Sequence, residues 1–402
     1  MLDYSAITPL LSDDSPLDAK ARAVLEKAVE VRRRTETGAV SNWVRPDTKF
    51  DSPAGQMLQK TTWDEMQGQP QAIVETLEKE GKAIGEIAAA LAKRPLERIY
   101  VVGCGDSWYS ALGVRSFYEE LLGVPCEALQ SLDFAYYYYK MANERSLMLA
   151  LSSTGGTART VEAMLMAQAR GAAAVAVTNT PLSLMTQAAD HTLMIHARRG
   201  GWPTQASTAT MAALDQLAIE IARQRGGSSS ALDKLEKALH GTPEQVAAVL
   251  KNENDKAQDA AVRAWERQVY LFAGGGPAYA CAMFGAAKIK EMTPSLAYAL
   301  PQEEVHHFDS LKPGNPVFVI APKGWSVPRA TNTAERGKRN GGQVYGVVTA
   351  GGSPLLPHLD LAFELPAMEE SLVPIVYTAP VQMFAYHSGI TKLRQAGADR
   401  KD

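Results

Sequence analysis

Cysteine is scarce in this chain: Cys104, Cys126 and Cys281 are its only three in 402 residues. The count is odd and the spacing fits no metal knuckle, which argues against a disulfide framework and a thiolate-bound zinc. Histidine is sparse as well, with seven residues of which only His306 and His307 adjoin, so no metal site is expected. Neither sign of charge prevails. Forty-one basic residues against 44 acidic ones leave a net charge of −3, too little to draw the chain to nucleic acid or to an anionic membrane. No apolar run approaches the ~20 residues of a membrane-spanning helix, and Met1-Leu2-Asp3-Tyr4 lacks the basic and apolar regions of a signal peptide. These absences predict a cytoplasmic protein with no metal, no nucleic-acid partner and no membrane partner.

Two nucleotide signatures are also missing. Gly103-x-Gly105 and Gly274-x-Gly276 each stop short of a third glycine, with Trp108 and Tyr279 in its place, so neither completes the dinucleotide fingerprint. No cofactor is expected.

What is present is an alternation of strand and helix. The uncharged run Ser146 to Leu151 has the length and composition of a central parallel strand. It empties into Ser152-Ser153-Thr154-Gly155-Gly156-Thr157, after which a helical pattern begins at Ala158. A hydroxyl- and glycine-rich turn at a helix N-terminus is suited to a phosphate, because the first backbone N–H groups of the helix lack internal partners. The turn has no lysine and is not a P-loop, so a phosphate on a small molecule fits better than a nucleoside triphosphate.

Strands are predicted at 98–102, 124–129, 146–151, 173–178 and 193–195, and again at 268–273, 316–320, 343–348 and 361–365. The two series predict two doubly wound parallel α/β sheets flanked by helices, and the two strand–glycine–helix turns suggest an internal duplication. The expected organisation is a helical extension over 1–70, a first domain over 71–225 with the phosphate loop, a helical connector over 226–265, and a second domain over 266–402. Within the extension, the spacing predicts a helix over 18–34 and a polar, turn-rich stretch to Pro53 that drapes over another surface.

Four ordered segments, from about Trp63 to near the C-terminus, resemble the double SIS (sugar isomerase) proteins. These include the isomerase half of glucosamine-6-phosphate synthase and free-standing deaminases, isomerases and deglycases of phosphosugars. Gly103-Cys104-Gly105-Asp106-Ser107 is similar to the family's first glycine turn, which implies that Ser107 touches the sugar phosphate. Ser152 to Thr157 resembles the Ser-Gln-Ser-Gly-Glu-Thr phosphate loop, keeping hydroxyls at Ser152, Thr154 and Thr157 and placing Ser153 where Gln is usual. Gln205-Ala206-Ser207-Thr208 resembles the stretch lining the sugar pocket, which assigns Gln205 and Ser207 to substrate. Ala286-Ala287-Lys288-Ile289-Lys290-Glu291 resembles the helix bearing the catalytic carboxylate, here Glu291. The family's histidine falls at His307 by spacing, with His306 as the other possibility. Lys288 either shares the chemistry or only pairs with Glu291. The resemblance further implies a homodimer with shared active sites, His307 being donated across the interface.

Such residues support enolisation. A glutamate above the C1–C2 bond moves a proton between carbons, while a histidine serves the ring oxygen or a departing nitrogen; each such group is typically worth about 10² to 10⁴ in rate. The synthase's glutamine-handling half and its C-terminal tail motif are not in this sequence. The expected function is therefore amine release from, or isomerisation of, an aminated hexose 6-phosphate, with a deglycase of a phosphorylated sugar–amino acid adduct preferred. Glucosamine-6-phosphate deamination is the alternative. A non-catalytic sugar-phosphate sensor is the reading of another class, disfavoured because residues 1–70 carry no basic helix-turn-helix.

Overall fold

The structure is a computed structural model that describes residues 8–12, 14–39, 53–307 and 311–398. The stretch 40–52, most of the segment expected to drape over another surface, lies outside the described residues.

Helices α1 (Ala19–Ala39), α2 (Pro53–Gln67) and α3 (Gln69–Ala92) precede the first sheet. That sheet comprises β1 (Arg98–Gly103), β2 (Cys126–Gln130), β3 (Ser146–Leu151), β4 (Ala173–Thr178) and β5 (His191–Met194). Its order is β2-β1-β3-β4-β5, with every pairing parallel. Helices α4 (Asp106–Leu122), α5 (Ala158–Ala169) and α6 (Gln205–Gln224) alternate with these strands. After a helical connector, α7 (Ser229–His240), α8 (Thr242–Asn252) and α9 (Asn254–Arg263), the pattern restarts. The second sheet holds β6 (Val269–Gly274), β7 (Leu296–Pro301), β8 (Pro316–Ala321), β9 (Gln343–Thr349) and β10 (Leu361–Leu365). With it run α10 (Ala278–Met292), the single turn α11 (Glu304–His307), α12 (Val327–Arg339) and α13 (Val373–Ala398). Its order, β10-β9-β8-β6-β7, is the first sheet's order with each strand replaced by its counterpart five later. The chain is thus a duplication at the level of topology.

Central strands buried on both faces must be apolar throughout, and β3, β4 and β8 are buried at every residue. Alternate side chains feed different cores. Ile99, Val101, Leu147 and Leu149 join one continuous core with Phe272, Phe318 and the buried faces of α10 and α13, so the two repeats share an interior. Tyr100, Val102, Met148 and Ala150 face the other way, toward α5 and the N-terminal helix α1. Tyr136, the first of four consecutive tyrosines, packs at that edge and donates its hydroxyl to Glu162 at 3.2 Å.

One strand was not expected from the sequence. The β7 segment is an edge, its Leu296 and Tyr298 are exposed, and Pro294 and Pro301 bracket it. An edge strand needs neither a continuous apolar run nor a donor at every position, so its pattern is weak. The repeats make the same tight turn after their first strands. A Cβ at Gly103 would lie 2.6 Å from the backbone of Ser107, and one at Gly274 2.4 Å from that of Ala278, so only glycine lets the following helix return this closely.

Candidate active site

In a 2-1-3-4-5 sheet the strand order reverses between the first and third strands, and ligands bind in the crevice beyond their carboxyl ends. In the first sheet this point lies between Gly103 and Leu151. A cavity of about 260 Å³ opens there, below the ~300–1,000 Å³ of drug-sized pockets and on the scale of a small metabolite. Ser107, Ser152, Ser153, Thr154, Thr157, Ser207 and Glu291, all expected site residues, line it together.

The hydroxyl turn is preorganised. Ser152 Oγ lies 2.8 Å from Thr157 Oγ1 and 3.3 Å from Thr154 Oγ1, and the backbone N–H of Gly156 donates to Thr154 Oγ1 at 3.3 Å. Gly155 has φ +61°, and a Cβ there would fall 2.1 Å from Ser183 Oγ, so the turn is closed around a residue that must be glycine. Thr157 caps α5 without a side-chain hydrogen bond to its first turn. Ser153 is oriented differently: its hydroxyl donates to Asn179 Oδ1 at 2.8 Å, and Asn179 in turn donates to the carbonyl of Ala197 at 3.2 Å.

The loop's missing cation comes from elsewhere in the chain. Arg199 lines the cavity and donates to the carbonyl oxygen of Ser153 at 3.1 Å. Its own loop is held by the extension. Glu65 on α2 accepts from the backbone N–H groups of Gly200 and Gly201 at 2.5 and 3.2 Å, and Thr62 accepts from Trp202 N–H at 2.9 Å. Trp63 on the same helix packs against Tyr386 of α13 with ring centroids 5.0 Å apart.

The opposite wall is a three-residue cluster joining the repeats. Lys288 on α10 is fully buried, and its Nζ donates to Asp106 Oδ2 and to Glu291 Oε2, each at 2.6 Å. Burial alone would lower the Lys288 ammonium, but the carboxylates of Asp106 and Glu291 more than reverse this and hold it above its ordinary value. Glu291, its side chain 31% exposed, is moved up from the ordinary carboxylate range. Burial is the main cause, opposed by Lys288 and reinforced by the charge of Asp106. Glu291 is therefore more basic than a surface glutamate, as a proton-abstracting group needs to be.

Three expected residues stand apart from the cavity surface. Lys288 reaches it only through its two carboxylates. Gln205 is buried at the start of α6, its Nε2 without a hydrogen-bond partner among the described residues, and is not part of the lining. His307 also lies outside the lining; it is 61% exposed on α11, 3.5 Å from Glu303. His306 is turned inward, with Nε2 2.8 Å from Thr333 Oγ1. Burial, with Arg329 nearby, lowers its pKa and favours the neutral ring. Polar and charged lining residues not singled out from the sequence include Asp106, Ser110, Asn179, Arg199 and Thr210. The one local trace of Arg199 in the sequence is Arg198-Arg199-Gly200-Gly201, a basic pair with two glycines just before the Gln205 segment, which does not by itself show that either arginine meets the loop. Among the described residues no His, Cys, Asp and Glu group could hold a metal ion, and no helix is long and apolar enough to cross a membrane.

Fold and site together define a duplicated doubly wound α/β protein with a polar cavity at the switch point of its first sheet, completed by a carboxylate from its second half. Residues 92–220 and 265–392 each match the SIS domain, and the chain belongs to that family. It is 32% identical over 329 residues to a glutamine–fructose-6-phosphate aminotransferase (isomerizing) of Pyrococcus horikoshii, the match covering 81% of this chain and 54% of that protein. The chain spans 54–63% of the length of the first such relatives. Among solved structures, the C-terminal domain of glucosamine-fructose-6-phosphate aminotransferase from Francisella tularensis superposes with a TM-score of 0.73 at 22% identity, over 82% of this chain and 96% of that one. A glucosamine-6-phosphate deaminase from Thermotoga maritima superposes with a TM-score of 0.62 at 20% identity, over 82% of this chain and 94% of that one.

Proposed function

We propose that the chain is an enzyme that enolises an aminated hexose 6-phosphate and releases its amine. The observation that carries this reading is that one small cavity is lined both by the hydroxyl turn Ser152–Thr157 and by Glu291, although 134 positions separate Thr157 from Glu291 (291 − 157). The 6-phosphate sits on the turn, on the first N–H groups of α5 and near Arg199. The C1–C2 end then faces Glu291, whose Oε2 is held by Lys288 while Oε1 is available to the substrate.

In the preferred reaction the substrate is a 1-amino-1-deoxy-ketose 6-phosphate. Glu291 takes the C1 proton and the enolamine forms. The proton returns at C2 and the nitrogen gives up its N–H proton, balancing the one that the C2 oxygen gained on enolisation, to give the imine of an aldose 6-phosphate. Water adds to the imine carbon, the nitrogen is protonated by a histidine, and the C–N bond breaks to yield aldose 6-phosphate and free amine. Glucosamine-6-phosphate deamination uses the same proton transfers, starting at C2.

The histidine belongs to a second copy of the chain in this reading. His307 is exposed and away from its own cavity, and the adjoining edge strand β7 exposes Leu296 and Tyr298, apolar surface that a homodimer would cover. Three free cysteines suit a reducing cytoplasm.

The test is turnover on a panel of glucosamine 6-phosphate, fructose 6-phosphate and phosphorylated sugar–amino acid adducts, with amine and sugar both measured. Glu291→Gln should lower kcat by about 10² to 10⁴, and His307→Ala should lower it as well. Full activity in Glu291→Gln contradicts the assignment, and binding without turnover on any substrate selects the sensor.

A further inference from the structure

The turn that follows β1 carries an acid that its repeat lacks. Gly103-Cys104-Gly105-Asp106 and Gly274-Gly275-Gly276-Pro277 close the first strands of the two repeats, with Gly105 and Gly276 at φ +56° and +54°. The first ends in a carboxylate and the second in proline. Asp106 opens α4, lines the cavity and reaches across the junction of the repeats to Lys288 at 2.6 Å. Glu291, one turn along α10, binds the same ammonium at the same distance. Asp106 Oδ1 is buried and has no partner among the described residues.

One fully buried ammonium is thus shared by two carboxylates, and the count of charges does not balance. Among the three hydrogen-bonded groups a Lys288–Glu291 pair alone would be neutral, and Asp106 brings one negative charge in excess, which the exposed Lys290 offsets only from a distance. The other end of the cavity has the opposite character, with the N-terminus of α5, its hydroxyls and Arg199. A cavity positive at one end and negative at the other suits a ligand carrying a phosphate and an ammonium.

We propose that Asp106 is a specificity-determining residue which, through its hold on Lys288, leaves the Glu291 end of the cavity negative and selects sugar phosphates bearing a protonated amine over their neutral hydroxyl counterparts. The inference rests on the cavity being a sugar-phosphate site. Asp106 is a positioning residue here, because the group that meets the amine is the open oxygen of Glu291.

The experiment is calorimetric titration of glucosamine 6-phosphate, glucose 6-phosphate and inorganic phosphate into the wild-type protein, D106N and D106N/K288M at pH 6.5. Asparagine keeps the shape and an acceptor for Lys288, which also retains Glu291, so the fold is preserved. Wild type should prefer glucosamine 6-phosphate over glucose 6-phosphate by about tenfold or more, the scale of one charge-assisted contact. D106N, whose cluster is neutral, should lose most of that preference while binding inorganic phosphate as before. D106N/K288M returns the cluster to a single negative charge on Glu291 and should regain the preference. Equal binding of the two sugar phosphates by wild type, an unchanged preference in D106N, or no recovery in the double variant overturns the role of Asp106. Failure of all three ligands to bind wild type overturns the sugar-phosphate reading itself, so the two failures are distinguishable.

Discussion

Replacing Lys288 by methionine tests how the two repeats are joined. The side chain is fully buried and holds two carboxylates at 2.6 Å each. Methionine fills much of the same volume, so the cavity created is small. What remains is a pair of carboxylates facing each other with their common counter-ion gone. Removing one member of a buried ion pair costs about 3–5 kcal/mol, which for a chain of this length unfolding as one unit lowers Tm by roughly 4–6 °C. The loss should depend on pH. In the wild type the Lys288 pKa is raised, so its contribution is complete below the ordinary lysine range and fades only as pH rises through the elevated value. It is constant between pH 5 and 8. In the variant, Asp106 and Glu291 can shed their repulsion only by binding a proton, and burial already pushes Glu291 upward. The deficit should be largest at pH 8 and shrink toward pH 5, and D106N/K288M should recover part of it. Calorimetric melting across this range is the assay. A deficit below about 1 kcal/mol at pH 8, against the expectation for a broken buried pair, or one that does not vary with pH, refutes the reasoning.

Arg199→Ala removes the only cationic side chain lining the cavity among the described residues and should weaken binding of inorganic phosphate roughly tenfold, as read by titration calorimetry. Glu65→Gln loosens the loop that Gly200 and Gly201 anchor; KM should rise several-fold with kcat less affected, since the perturbation lies at the end of the cavity proposed to hold the phosphate. Gly155→Ala forces a Cβ to 2.1 Å from Ser183 Oγ at φ +61° and should destabilise by more than ~1 kcal/mol, measured by urea denaturation.

The nine strands expected from the sequence are found because their signal is local. Apolar runs such as Ser146–Leu151 and Ala173–Thr178 are buried on both faces, so composition alone marks them. The β7 strand escaped the same reasoning because an edge tolerates exposed Leu296, Tyr298 and a terminal proline. The hydroxyl turn was legible because its glycines and hydroxyls are contiguous. Asp106 was visible as a letter in a motif but not as a partner of Lys288, 182 positions away, since that contact exists only after two sheets pack. Arg199 was hidden for a similar reason: its place depends on α2, which grips the neighbouring glycines from 135 positions upstream. Gln205 lies in the expected segment, yet the helical phase turns its side chain away from the cavity while Ser207 lines it. Spacing identifies an element, and only packing decides which of its faces meets the ligand.

The central claim, that one cavity grips the phosphate on one wall and presents a base to the sugar carbons from the other, is tested most directly by a crystal structure with glucosamine 6-phosphate bound. The phosphate should lie within hydrogen-bonding distance of the Ser152, Thr154 and Thr157 hydroxyls, with C1 and C2 turned to the Glu291 carboxylate. A phosphate seated away from that turn, or a sugar whose C1–C2 end points away from Glu291, contradicts it.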